Sequence, residues 1–169
     1  MKNTFLKTIG ATALAILMLA MFAQVRVSAQ IFDQPPVGDG NARALEGSWD
    51  SQVTVFNCQT GAVIRTFPAM NTFMQGGTMQ EFGIGSGLLR GPGHGVWSYN
   101  SGQSFSSNFQ FFRFNADGTF AGKQINRRQI NVSRFGNSFT ATTAAEIYNP
   151  AGVLIATGCA NEVGTRFEL

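Results

Sequence analysis

From residue 47 onward, hydrophobic and polar residues alternate in short runs that are separated by turn-forming residues. In the run "SWDSQVTVFN", the alternation places Trp49, Val53 and Val55 on one face. Runs of this kind, rich in Val, Ile, Thr and Phe, are typical of β-strands with one buried face. No helical period of useful length follows residue 47, so the pattern predicts an all-β domain over residues 47–169.

Short turns connect the predicted strands. The sequences "CQTG", "NSGQ", "NADG", "RFGN" and "NPAG" separate roughly eight or nine runs, and Pro68 is expected to break or bend one of them. Such short connections make consecutive strands antiparallel, which gives a meander. An open sheet of this size would leave two unpaired edges and an uncovered apolar face, and closure removes both. The sequence therefore predicts a single antiparallel up-and-down β-barrel.

The segments before residue 47 differ in composition from the rest. Lys2 and Lys7 precede the apolar run "IGATALAILMLAMFA", which is short for a membrane span, and "VSA" at 27–29 marks a cleavage site. We therefore expect residues 1–29 to be a cleaved signal peptide, and the mature protein to be extracellular or periplasmic with no membrane span. Residues 30–46 are rich in Pro, Gly and Asp and predict a flexible leader with a short helical turn in "ARALEG".

The signal peptide carries the excess positive charge. The chain has 12 Lys and Arg residues against 9 Asp and Glu, but Lys2, Lys7 and Arg26 precede the cleavage site, so the mature chain is balanced. Its densest basic point is the pair Arg127 and Arg128. Nucleic-acid binding requires a concentrated basic face, and the sequence therefore predicts no nucleic-acid partner.

Both cysteines, Cys58 and Cys159, lie in the predicted mature chain. In an oxidising compartment they are expected to form a disulfide, worth about 4–5 kcal/mol for a loop of about 100 residues. Cys58 ends the first predicted strand and Cys159 introduces the last, and these strands are neighbours in a closed meander. A structural zinc site needs four ligands, which two cysteines and His94 do not supply, so no metal or other cofactor is expected.

The first and last strands of the predicted barrel carry residues that resemble motifs of the calycin superfamily of lipocalins, fatty-acid-binding proteins and avidins. These residues are Gly47-Ser48-Trp49, a G-x-W motif, and Arg166 in "GTRF". The resemblance implies that the Arg166 side chain lies over Trp49, an interaction worth about 0.5–2 kcal/mol. The middle of the chain, "GPGHGVW", "FFRFNADG" and "FAG", is similar to a group of exported bacterial proteins of unassigned function. The second similarity brings no activity with it, and the calycin resemblance implies a barrel that binds a small apolar ligand.

Phenylalanine is the most informative residue type in the predicted barrel, with sixteen in the chain. Phe105, Phe109 and Phe111 share one face of their strand. Phe112 and Phe114 fall on the other face, which indicates either a bulge or cover on both faces. An eight-stranded barrel is either filled by such side chains or holds one small ligand, and both alternatives remain open.

Two further runs bear on the interior. Small residues share the face of Phe139 (Ala141, Thr143, Ala145), and polar residues share the face of Phe120 (Gln124, Asn126, Arg128). The small residues leave space, and the polar ones would line part of the interior. His94, Trp97 and Tyr99 are expected at the barrel mouth. Together with these three, the predicted ligand contacts are Phe105, Phe109, Phe111, Phe120, Phe139 and Arg128.

His94, the only histidine, has three candidate roles: structural at the barrel mouth, contacting a ligand, or serving as a catalytic base or haem ligand. A catalytic base needs an orienting carboxylate, and Glu81 and Glu146 are the candidates within strands. The surrounding glycine-rich loop lacks a P-loop lysine and a following helix, which favours a lid or a bend at the rim.

Three functional hypotheses follow. The first is an exported barrel that binds a small, mostly apolar ligand. The second is a barrel cyclase or isomerase, with Glu81 or Glu146 near His94 in the cavity. The third is a non-catalytic envelope interaction protein with a solid core. The sequence favours the binding protein over the enzyme, assigns no catalytic residue, and does not determine the oligomeric state.

Overall fold

The computed structural model describes residues 40–85 and 89–168, which form a 3₁₀ turn (Gly40–Arg43) and eight β-strands. Each strand pairs antiparallel with the next, and β1 also pairs with β8, so the sheet is a closed barrel. The predicted all-β, up-and-down barrel is therefore confirmed. The strands are β1 (Gly47–Phe56), β2 (Val63–Phe73), β3 (Thr78–Gly83), β4 (Gly93–Ser101), β5 (Ser104–Phe114), β6 (Phe120–Val132), β7 (Ser138–Tyr148) and β8 (Leu154–Arg166).

Pro68 does not interrupt its strand, contrary to expectation. It lies within β2, opposite Gln52 of β1, and its carbonyl accepts a hydrogen bond from the backbone N–H of Ile84 just beyond β3. Because the N–H and C=O of a strand residue face the same neighbour, the missing N–H of Pro68 faces the end of β3 and not β1. No β1–β2 hydrogen bond is lost, and the strand continues past the proline.

The last strand is longer than expected. The runs "VLIATG" and "VGTRFEL" contribute to one strand, β8, so Cys159 lies inside it and does not introduce it. Cys159 is opposite Phe56 on β1, and its disulfide with Cys58 joins positions whose Cα atoms are 5.4 Å apart. The predicted disulfide at the β1–β8 junction is confirmed.

The barrel end that carries the 3₁₀ turn is closed by Trp49 and Arg166, which are opposite each other on β1 and β8. The guanidinium carbon of Arg166 lies 4.2 Å from the centroid of the Trp49 ring, the arrangement implied by the calycin resemblance. Arg166 also donates 2.7 Å hydrogen bonds to the carbonyls of Ala44 and Glu46. Trp49 Nε1 donates to the carbonyl of Leu45, which is fully buried, so the segment after the 3₁₀ turn covers this end.

Aromatic side chains fill the half of the barrel next to this closed end. Phe73 packs edge-to-face against Trp97 and Phe139, and Phe105 packs against Trp97 and Tyr99. Trp97 and Tyr99 therefore belong to the packed half, and their expected position at the barrel mouth is wrong. The reason lies in β4 itself, whose inward positions are glycines near the open end and aromatic residues near the closed end.

Residues 1–39 lie outside the described part of the chain, and with them the predicted signal peptide and most of the predicted leader. The part of residues 30–46 that is described contains the 3₁₀ turn Gly40–Arg43, which begins two residues before the expected turn. Among the described residues, no helix has the length and apolar character needed to cross a membrane.

Candidate functional site

A cavity of about 150 Å³ lies inside the barrel, in the half towards the open end. Its wall is made by residues of seven strands, all except β4, together with residues of the loop between β3 and β4. A volume of this order holds one benzene-sized molecule. The lining residues include Val53, Val55, Arg65, Phe67, Glu81, Gly85, Arg90, Phe109, Phe111, Gln124, Asn126, Arg128, Thr143, Ala145, Ile147 and Glu162.

Small residues create this space. On β7 the inward positions change from Phe139 at the closed end to Thr143 and Ala145 at the cavity, and Gly158 of β8 lies beside Ala145. A Cβ atom placed on Gly158 would be 3.7 Å from the Cβ of Ala145, which is ordinary contact distance. Thr143 and Ala145 thus line the cavity as expected, whereas Ala141, the third small residue of this face, is buried in the aromatic core.

The floor of the cavity is a buried ion pair between Arg128 of β6 and Glu162 of β8. Their side chains are 1% and 4% exposed, and Arg128 Nη1 lies 2.8 Å from Glu162 Oε2. Arg128 also donates to Ser107 Oγ at 2.9 Å and to Asn71 Oδ1 at 3.0 Å. Ser51 Oγ and Asn71 Nδ2 donate to the second carboxylate oxygen of Glu162, at 2.6 and 2.7 Å. Every charged group of the floor is thus hydrogen-bonded, as a buried charge requires.

Arg128 also separates the cavity from the aromatic half of the barrel. Its guanidinium carbon lies 4.7 Å from the centroid of the Phe109 ring and 5.5 Å from that of Phe73. Because the guanidinium interacts with both rings and with Glu162, its position is fixed on several sides. Arg128 lines the cavity, but its charge is already paired within the protein.

A second buried ion pair, Arg90 with Glu81, forms part of the cavity wall. The two side chains are 5% and 4% exposed, and both terminal nitrogens of Arg90 donate to the Glu81 carboxylate. The Arg90 guanidinium carbon lies 3.6 Å from the centroid of the Phe111 ring. Burial raises the pKa of Glu81, and this effect exceeds the opposing effects of the hydrogen bond and charge of Arg90.

Glycine at position 93 makes room for this arrangement. A Cβ atom there would lie 2.8 Å from the Phe109 ring and 2.9 Å from Glu81 Oε2, which is closer than real Cβ contacts. The space of Gly93 is therefore used by the side chains of Phe109 and Glu81, whereas a Cβ atom on Gly95, the other glycine beside His94, would clash with the facing backbone of β5.

His94 lies on the outer face of β4, where it is exposed and opposite Gln80 of β3. Glu81, the next residue, points into the barrel, because successive strand residues face opposite sides. Glu146, the other proposed partner, accepts hydrogen bonds from Tyr148 and from the exposed side chain of Arg127, which lower its pKa in that order. The enzyme hypothesis requires Glu81 or Glu146 within reach of His94 inside the cavity, and His94 lies on the opposite side of the barrel wall from Glu81.

The predicted ligand contacts fall into three groups. Phe109, Phe111 and Arg128 line the cavity; Trp97, Tyr99, Phe105 and Phe139 lie in the packed half; and His94 and Phe120 lie outside. The structure thus brings together three of the nine predicted residues at the cavity.

Phe120 is on the outer wall because of a bulge in β6. Phe120 is opposite Phe114 and Gly122 is opposite Arg113, so Ala121 is an extra residue without an opposite partner. One extra residue reverses the alternation, and the expectation that Phe120 shares the face of Arg128 is wrong. Phe120 is 47% exposed and packs against Phe112, with ring centroids 5.7 Å apart.

Sequence reasoning missed Arg65, Phe67, Arg90 and Glu162 as cavity residues. Arg65 and Phe67 alternate with Ala69 on β2, but the expected break at Pro68 hid that continuity. Glu162 alternates with Ala160 and could have been found as a charged residue at an inward position of the last strand. Arg90 lies in the loop, for which no periodic signal exists.

The glycine-rich loop contributes Gly85 and Arg90 to the cavity. Positions 86–88, between these two residues, lie outside the described part of the chain. A Cβ atom on Gly85 would be 2.5 Å from the Phe67 ring, so the loop backbone approaches this side chain closely.

No protein-family profile, curated protein or solved structure matches the chain. Across residues 40–85 and 89–168, no three His, Cys, Asp or Glu side chains are grouped so that they could hold a metal ion. The closed eight-stranded barrel is consistent with a calycin-like fold.

Proposed function

We propose that this protein binds a small, largely apolar molecule in the cavity between the Arg128–Glu162 pair and the open end of the barrel. The observation that carries the proposal is the internal space itself, about 150 Å³ beside a closed end that is filled by a buried aromatic cluster. This volume is below the roughly 300–1,000 Å³ of pockets for drug-sized ligands. The ligand is therefore about the size of one aromatic ring, and a long acyl chain does not fit.

The lining favours such a ligand. Val53, Val55, Phe67 and Ile147 supply apolar surface, and each Å² of ligand surface removed from water contributes about 25 cal/mol. The polar groups nearby are already satisfied, with Gln124 Nε2, for example, donating to Asn126 at 2.9 Å. A ligand of this size is expected to bind with a Kd of roughly 10 µM to 1 mM.

The site of action that we propose is outside the cytoplasm. The Cys58–Cys159 disulfide supports this, because such bonds persist in oxidising compartments. The composition of residues 1–29, typical of a signal peptide, supports the same location.

The other two hypotheses have less support. The cyclase or isomerase hypothesis relied on His94 beside Glu81 or Glu146, and His94 and Glu146 both lie on the outer wall. The envelope interaction protein was expected to have a solid core, and the cavity argues against it.

The test is a pair of variants on neighbouring positions of β7. Ala145→Phe places a ring in the cavity, whereas Ala144→Phe places the same ring on the exposed outer wall. A panel of single-ring compounds is screened against the mature protein by ligand-observed NMR, and hits are titrated by calorimetry.

We expect saturable binding to the wild type and to Ala144→Phe, and none to Ala145→Phe. Thermal unfolding of all three proteins verifies that they are folded. Equal binding by Ala145→Phe, or no saturable binding by the wild type to any compound of the panel, would refute the proposal.

A further inference from the structure

The side chains that line the cavity include more arginines than carboxylates. Among the described lining residues, the acidic ones are Glu81 and Glu162, and each is paired with a buried arginine. Arg65 is the third arginine of the lining, and no carboxylate pairs with it in the described part of the chain. We propose that the ligand is a monoanion whose ring occupies the cavity and whose charged group lies at Arg65. This inference rests on the proposed function and narrows it to one ligand class.

Arg65 is placed and held for this role. It occupies an inward position of β2 at the open end, opposite Val55 of β1. Its guanidinium carbon lies 5.4 Å from the centroid of the Phe67 ring, and Nη1 donates to the carbonyl of Gly85. The planar guanidinium has five N–H donors in a fixed fork that matches a carboxylate. These contacts hold the side chain at the mouth while other donors remain for an anion.

The position of the charges also determines how the ligand is oriented. An anionic group deep in the cavity would lie near the carboxylates of Glu81 and Glu162, whose side chains are both 4% exposed. These carboxylates already accept the hydrogen bonds of Arg90 and Arg128. Burial raises the pKa of Glu81 even beside Arg90, so additional negative charge at that depth is unfavourable. Arg65 is exposed, and an anion beside it keeps part of its hydration. The ring therefore points inward and the anionic group outward.

The same set of charged side chains disfavours a cationic ligand. A positive ligand would lie beside Arg65, and the carboxylates that could attract it are both engaged by arginines. A neutral ligand gains only the apolar contacts. Because Arg65 is exposed, the preference for an anion is moderate and sensitive to salt.

The experiment compares three probes of nearly equal size, namely benzoate, benzamide and benzylamine, by calorimetric titration or by changes in protein NMR chemical shifts. Arg65→Met removes the charge and retains most of the apolar stem. Lys123→Met is the matched control, since Lys123 is a cation that contacts the outer face of Tyr148 and does not line the cavity.

We expect the wild type and Lys123→Met to bind benzoate about three- to fivefold more tightly than benzamide at low salt, and benzylamine most weakly. The advantage of benzoate should shrink at about 0.5 M NaCl, where the Debye length is only a few ångströms. In Arg65→Met it should disappear, while the affinity for benzamide stays unchanged.

Equal affinities for benzoate and benzamide in the wild type would overturn this inference, as would an advantage that persists in Arg65→Met, and both leave the proposed function intact. If none of the three probes binds and the wider panel also fails, the proposed function itself is wrong.

Discussion

Substituting Met for Arg128 removes the positive charge from the floor of the cavity and leaves Glu162 buried without its cation. Both side chains are almost completely inaccessible to solvent, and their 2.8 Å contact joins β6 to β8 across the interior. Ser107 Oγ and Asn71 Oδ1 also lose a donor. The unfolding free energy should therefore fall substantially.

The magnitude follows from these contacts. Breaking a buried ion pair by removal of one partner costs about 3–5 kcal/mol, and a buried polar atom without its partner costs about 1–3 kcal/mol. Glu162 retains the hydrogen bonds of Ser51 and Asn71, which reduces the loss. We expect Arg128→Met to cost about 4 kcal/mol, a large part of the 5–15 kcal/mol typical of a domain.

The comparison with Glu162→Gln and with the double variant isolates the interaction. Glu162→Gln leaves Arg128 charged and buried, because a guanidinium does not lose its proton in proteins. In the double variant no buried charge remains, so it should lose about 2–3 kcal/mol less than the sum of the two single losses.

Arg127→Met is the matched control, since Arg127 is adjacent in sequence but lies on the outer wall. Its side chain is 53% exposed and 3.3 Å from Glu146, and loss of such a surface pair costs about 1 kcal/mol or less. All variants are unfolded in urea and followed by circular dichroism and by tryptophan fluorescence, whose agreement tests two-state behaviour. The reasoning is refuted if Arg128→Met costs no more than Arg127→Met, or if the two single losses add to within about 0.5 kcal/mol.

Two further predictions concern stability. Replacing Cys58 and Cys159 together by Ser opens a loop with a sequence separation of 101 residues. The unfolding free energy, measured in urea, should fall by about 4–5 kcal/mol. A loss below about 1 kcal/mol would contradict the chain-entropy model. Because burial raises the pKa of Glu81, the folded protein retains this proton to higher pH than the unfolded chain, whose glutamates have a pKa of about 4.5. The stabilisation from Glu81 is complete below that pH and is lost as the pH rises through the folded-state value. The unfolding free energy of the wild type minus that of Glu81→Gln should therefore fall as the pH rises above the unfolded-state pKa, and a difference that grows with pH would show that the ion pair with Arg90 dominates.

The inward-facing residues could be predicted correctly from the alternation on β7 but only in part on β6. On β7 the alternation identified Phe139, Ala141, Thr143 and Ala145 as one face, and the structure has them on the inner wall, because nothing interrupts that strand there. On β6 the same reasoning was correct for Gln124, Asn126 and Arg128 and wrong for Phe120, since one bulge residue reverses the alternation.

The pairing of Arg128 with Glu162 illustrates what no local pattern contains. These residues lie on β6 and β8, which are not neighbours, and β7 runs between them with the small inward residues Ala141 and Thr143. Which inward side chains meet depends on the register of three strands and on the curvature of the barrel. Each residue could be identified as inward, but their partnership could not.

About eight strands, their antiparallel order, the closure of the sheet and the disulfide could be predicted from the sequence, because alternation, short turns and cysteine positions are local features with few structural solutions. The orientation of Phe120, the exposure of His94, the two buried ion pairs and the cavity depend on the tertiary structure. A cavity is the difference between the volume enclosed by the barrel and the volume of its side chains, and that difference is small. It exists only after all strands have taken their final register, so no stretch of the chain encodes it alone.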